Sequence, residues 1–326
     1  MSLPRLLSDN LALPVIGAPL FIASTPDLVI EQCKAGIVGA FPALNARPAD
    51  QLDVWLTRIE TGLAAWKAAN PGAKVAPFAV NQIVHQSNDR LQHDIGVCLK
   101  HKVPVWITSL RAPPKELLDA VHGYGGVVLH DVINIRHAKK AIESGVDGLI
   151  LVCAGAGGHA GALSPFALLG EVRRCFGGII VLAGSITRGE HVLAAQAMGA
   201  DLAYMGTRWL VCREANTSQA YKEAIVESAA ADVIYTNLFT GVHGNYLRKS
   251  IVNAGLDPDN LPDSDASKMN FGSDRNSAAK AWKDIWGVGQ GVGQIDSIES
   301  TAAAAATLKA EYAAAKARLD TISARP

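Results

Sequence analysis

A chain of 326 residues that is 49% hydrophobic and 18% charged can bury a large core, and it falls in the range where one α/β barrel fills a single domain. Its 30 Lys and Arg balance 30 Asp and Glu, and no arginine-rich run with interleaved aromatics is present to follow a phosphate backbone or an anionic membrane. Nucleic acid and membrane are therefore not expected as partners.

The first twenty residues are broken by Pro4, Asp9, Pro14 and Pro19, so they read as mature protein and not as a signal segment. No window approaches the roughly 18 uninterrupted apolar residues of a spanning helix. The five cysteines, Cys33, Cys98, Cys153, Cys175 and Cys212, lack metal-ligand spacing and are expected as reduced core thiols of a cytoplasmic protein, Cys153 as a buried inert one.

Short β-branched runs then alternate with segments of helical spacing at intervals of about 25 residues, the pattern of repeated βα units. Strands are expected at 14–18, 37–41, 75–81, 103–109, 127–131, 148–153, 179–184 and 202–207, and helices at 25–35, 50–69, 88–101, 113–122, 135–144, 164–176 and 188–198. Thr25-Pro26 and Ser164-Pro165 read as N-caps followed by proline at the first helical position. Eight units favour a closed TIM (β/α)8 barrel over an open doubly wound sheet, and a barrel places function just after its strands.

Those positions carry Ala18, Pro19 and Leu20 after strand one, Asn81 and Gln82 after three, and His130 and Asp131 after five. Strand six is followed by a run of small residues, 154–161, whose one proton-moving side chain is His159. Gly184 and Ser185 follow strand seven; Gly206 and Thr207 follow strand eight. Glycine turns on these two late strands form the phosphate site that barrels of this kind often use, so a phosphate-bearing ligand is expected.

Five segments carry a resemblance: 14–20 (PVIGAPL), 77–81 (PFAVN), 157–161 (GGHAG), 205–208 (MGTR) and 286–291 (WGVGQG). In these, and in their order, the chain resembles the FMN-dependent nitronate monooxygenases, formerly 2-nitropropane dioxygenases, whose relatives include flavin enoyl reductases and NADH:quinone reductases. The resemblance implies FMN as cofactor, with Ala18, Pro19 and Leu20 beside the isoalloxazine and Asn81 bonded to it. It implies Gly157, Gly158 and Gln290 near the flavin and Gly184, Ser185, Gly206 and Thr207 around its phosphate. His159 is then the base or the group that positions a nitronate or nitroalkane, with O2 as the second substrate. Several relatives carry lysine where this chain has Asp131, so either His130 supplies the positive charge or Asp131 has another task, such as orienting an imidazole.

Residues 1–230 are expected to form the barrel, 231–299 a lid over its mouth with Trp282, Trp286 and 287–293 as inner surface, and the alanine-rich 300–326 a helix packed outside. His93, His101, His122 and His137 read as surface or capping residues, while His85 and His243 stand near the mouth. No catalytic metal is expected. The leading reading is a nitronate monooxygenase that yields a carbonyl compound and nitrite, possible as a homodimer. The alternatives are an NAD(P)H-dependent reductase of quinones or enoyl thioesters, and a non-catalytic flavin-binding barrel.

Overall fold

Eight parallel strands alternate with helices around a ring in the computed structural model, which describes residues 3–264 and 284–323. The strands are β1 (Val15–Gly17), β2 (Gly39–Pro42), β3 (Phe78–Val84), β4 (Val105–Leu110), β5 (Val127–Val132), β6 (Gly148–Val152), β8 (Ile179–Ala183) and β9 (Leu202–Met205). Their order is β1-β9-β8-β6-β5-β4-β3-β2, and a parallel bridge from Ile16 to Val38 brings the two ends together as a TIM barrel.

Each expected strand is present, and the helices follow with slightly shorter bounds, such as Leu91–Lys100 for 88–101. Thr25 and Ser164 do precede helices that open on proline, but their hydroxyls make no capping bond. Asn134 is a working cap, its side chain accepting the His137 N–H of α6 (Ile135–Ser144).

Because side chains alternate along a strand, one residue fixes the direction of its neighbours. Ile16, Val38, Ala79, Ile107, Leu129, Ile150, Val181 and Leu202 are buried in one apolar cluster inside the barrel. A second cluster, including Trp106, Val128, Leu149 and Ile180, lies between barrel and helices. This is the packed interior that parallel strands covered on both faces require.

The C-terminal helix (Thr301–Ser323) packs on the helix Gly189–Ala197 and on Pro26–Lys34. Gly189 permits the close crossing: a Cβ there would lie 2.3 Å from Leu308 O and Tyr312 N.

After β9 and the helix Gln219–Val226, the chain forms β10 (Val233–Thr236) and β11 (Gly244–Leu247). β11 pairs on its other side with β7 (Gly158–His159), which lies inside the glycine run after β6. Two residues of the glycine run thus add a strand to a small antiparallel sheet, after a turn at 154–155 and a bend at 157. Trp282 and the rest of 265–283 lie outside the described residues.

Candidate active site

Two residues beyond the apolar layer, the same alternation brings the next inward positions to the C-terminal mouth. These are Ala18, Pro42, Asn81, Ser109, Asp131, Val152, Ala183 and Tyr204, and all line one cavity of about 1670 Å³. The cavity extends to Pro19, Leu20, Gly157, Gly158, His159, Gly184, Ser185, Gly206 and Thr207. Of the residues singled out from sequence, Gln290 stands apart: its side chain is exposed and absent from the lining, and its backbone N–H donates to Gly155 O at 2.9 Å.

The floor carries a polar chain across three strands. Asn81 Nδ2 donates to Ser109 Oγ at 2.7 Å, and Ser109 Oγ donates to Asp131 Oδ2 at 2.6 Å. Asp131 Oδ1 is buried with no partner among the described residues. Burial pushes the Asp131 carboxyl up to about 7 against the smaller lowering effect of Ser109, and Asp131 in turn adds to the burial that raises the Tyr204 phenol.

His130 does not supply a charge to this floor. It sits outside the barrel wall, buried among strands and helices, with Nδ1 2.8 Å from Thr108 Oγ1. Burial, then neighbouring His137, lowers it to about 4, so it is neutral. Nor does Asp131 orient an imidazole, since its hydrogen-bond partner is Ser109. His137, expected on the surface, lines the cavity instead.

His101 lies between Asp53 and Glu60 and His122 beside Asp147, as helix-end residues commonly do. His93 meets Asp94, His85 meets Ser87, and His243 stacks on Tyr235. Cys153 is buried, its thiol pushed up to about 12. No group of His, Cys, Asp or Glu among the described residues could hold a metal, and no described helix is long and apolar enough to cross a membrane.

His159 is held by the segment that joins and includes β10 and β11. Its Nε2 lies 2.8 Å from Thr240 Oγ1, while the pairing of Gly244 with His159 and Asn245 with Gly158 fixes the backbone. Recession in the cavity lowers His159 to about 4 through desolvation, so it is a neutral imidazole at physiological pH.

The 287–293 segment ties lid to turns. Gly289 N–H donates to Thr207 Oγ1 at 2.9 Å, and Tyr221 OH donates to Gly287 O at 2.7 Å while its ring stacks on Trp286. A Cβ on Gly157 would lie 2.7 Å from Gly289 N, so glycine is required at 157 by this strap. Gly155 has φ +83 and no room for a Cβ, which would meet Ser185 Oγ at 2.2 Å.

The loop after β1 is held in a strained form. Ile22 has φ 66, costly for a β-branched residue, and Asn45 clamps it: Ile22 N–H donates to Asn45 Oδ1, and Asn45 Nδ2 donates to Leu20 O and Ser24 O. Ser185 (φ 54) and Leu110 (φ 76) also line the cavity in the left-handed region.

Sequence reading passed over Ser109, Tyr204, Asn45, Arg47 and Thr240. Ser109 and Tyr204 were accessible through strand parity, since each lies two residues beyond a buried apolar one. Asn45, Arg47 and Thr240 lie in loops without periodicity.

The residues present fit a flavin. A Cβ on Gly206 would be in ordinary van der Waals contact with Leu20 Cδ2 at 3.5 Å and Ala18 Cβ at 3.7 Å, two residues that also line the cavity. The floor also offers a buried carboxyl oxygen with no protein partner, at Asp131.

Comparison with known proteins agrees with this architecture. A nitronate monooxygenase from Paraburkholderia phytofirmans is 25% identical over 308 residues, covering 82% of this chain and 82% of that protein. A Mycobacterium tuberculosis protein that carries a monooxygenase name is 26% identical over 229 residues, 67% of this chain but 61% of that protein. The structure of a nitroalkane oxidase from Streptomyces ansochromogenes superposes with a TM-score of 0.81 at 23% identity, covering 96% of this chain and 99% of that one. The family model described as nitronate monooxygenase matches residues 46–303, and the chain therefore belongs to the nitronate monooxygenase family and is an oxidoreductase.

Proposed function

We propose that this chain is an FMN-dependent nitronate monooxygenase, which converts an alkyl nitronate and O2 to a carbonyl compound and nitrite. The observation that carries the reading is the convergence, at one barrel mouth, of the Gly184–Ser185 and Gly206–Thr207 turns with His159, which follows the strand next to the first of these turns. The turns suit a phosphate monoester, because glycine lets backbone N–H groups approach the phosphate oxygens closely. Leu20 and Ala18 offer a flat apolar wall to the ring system, and Asn81 and Asp131 stand on the floor as hydrogen-bonding groups. When bound, the flavin supplies the capacity to accept electrons from the substrate.

The protein residues then position and desolvate. His159, anchored by Thr240 on the lid, presents an imidazole that stays in its basic form above about pH 4. Such a group can hydrogen-bond a nitronate oxygen after picking up a proton, or accept a proton from the carbon of a neutral nitroalkane. Trp286, Tyr221 and Phe239 of the surrounding segments line the cavity and limit its hydration. The test is whether a nitronate reduces the bound flavin without nicotinamide.

A further inference from the structure

Arg47 is the one Lys or Arg among the described residues that line the cavity. It follows β2, whereas His159 follows β6. In the closed order β1-β9-β8-β6-β5-β4-β3-β2, these two strands are four apart in either direction. Arg47 and His159 therefore stand on opposite walls of the mouth. Strand spacing and tilt give a backbone-to-backbone width of about 15 Å for an eight-stranded barrel. After both side chains have reached inward, the remaining span still equals several carbon–carbon bonds.

The guanidinium is fixed without being neutralised. Its Nε donates to Leu44 O at 2.9 Å, and its plane centre lies 5.4 Å from the centroid of the Phe21 ring, another lining residue. Neither Nη makes a hydrogen bond or ion pair among the described residues. A second cation acts on it: Arg90, which donates to Ala46 O at 2.7 Å and is itself paired with Asp94. Burial, followed by repulsion from Arg90, lowers the Arg47 pKa. The guanidinium is exposed on the cavity wall, has no counter-ion among the described residues and has a like charge beside it, so it is placed to pair with an anion from outside the chain. Its planar fork matches a carboxylate or phosphate.

We propose that Arg47 forms an anion subsite on the cavity wall opposite His159, which receives a carboxylate or phosphate carried by the substrate several bonds from its reacting carbon. The proposal rests on the reading that chemistry takes place at His159. It makes the physiological substrate longer than a simple short nitroalkane, with an anionic far end that pairs with Arg47 while the reactive end lies under the lid.

The experiment is calorimetric titration of the flavin-loaded protein with hexanoate, hexyl phosphate and the neutral hexanamide, for wild type, Arg47→Gln and Arg47→Lys. The wild type is expected to bind at least one of the anions about tenfold or more tightly than the amide, the usual scale of a charge-assisted hydrogen bond. Which anion wins identifies the group. Arg47→Gln should bring the preference to within about twofold, and Arg47→Lys should keep part of it. Equal binding of acid and amide by the wild type, a preference that survives Arg47→Gln, or loss of flavin from that variant would each overturn the subsite; the last would assign Arg47 to the cofactor. These probes are not oxidised. Failure of nitronates to reduce the flavin would thus refute the proposed reaction and leave the binding result standing.

Discussion

Asp131 gives a prediction whose size follows from its surroundings. Its carboxyl is raised from 3.8 to about 7 because the charged form loses its water in the barrel mouth and has one hydroxyl, that of Ser109, in compensation. The folded state then binds more protons than the unfolded state between those two values, and stability falls as pH rises through the window. The protonated form's contribution is complete below about 3.8 and lost above about 7. With these values the penalty is about 2 kcal/mol at pH 5 and roughly 4 to 5 kcal/mol at pH 8. Asp131→Asn removes this titration and leaves the others, including that of His159. The stability of the variant relative to wild type should therefore rise by roughly 3 kcal/mol from pH 5 to pH 8. Urea unfolding of both proteins at pH 5, 6, 7 and 8 measures it. If the two stability profiles run parallel, Asp131 ionises like an ordinary carboxylate, and the description of the floor is wrong.

His159→Asn should keep its flavin and retain part of its activity on a preformed nitronate, while losing about 100-fold or more on the neutral nitroalkane, the scale of a lost general base. Equal losses on both substrates, in steady-state assays, would assign His159 to positioning alone. Gly206→Asp should abolish flavin retention through repulsion of the phosphate. Its circular dichroism should stay near wild type, because the nearest contacts of a Cβ at 206 are ordinary ones; unchanged FMN affinity would remove Gly206 from the site.

Much of the barrel could be read in the chain because its eight strands are short apolar runs bounded by helical spacing, and each strand ends at a position that parity can aim. Asn81 and Asp131 follow buried Ala79 and Leu129 by two residues and so point inward. The same count, applied one residue earlier, sends His130 outward and settles which of the two neighbours can face a ligand. The lid was less legible. Its pairing of Gly158 and His159 with residues 244 and 245 joins segments more than eighty residues apart, and neither partner has a strand-like pattern long enough to announce it. The role of Gly157 was hidden for a related reason: its contact is with Gly289 of the strap, a tertiary approach with no local signature. Arg47 escaped because nothing local to an exposed loop arginine says that the barrel places it across the mouth from His159.

The most direct measurement of the central claim is anaerobic mixing of the flavin-loaded protein with propionate 3-nitronate or with NADH while the flavin absorbance is followed. Bleaching by the nitronate at a rate equal to or faster than aerobic turnover, with NADH inert on that timescale, is the predicted result. Rapid bleaching by NADH with no response to the nitronate would contradict the account and identify a nicotinamide-dependent flavin reductase.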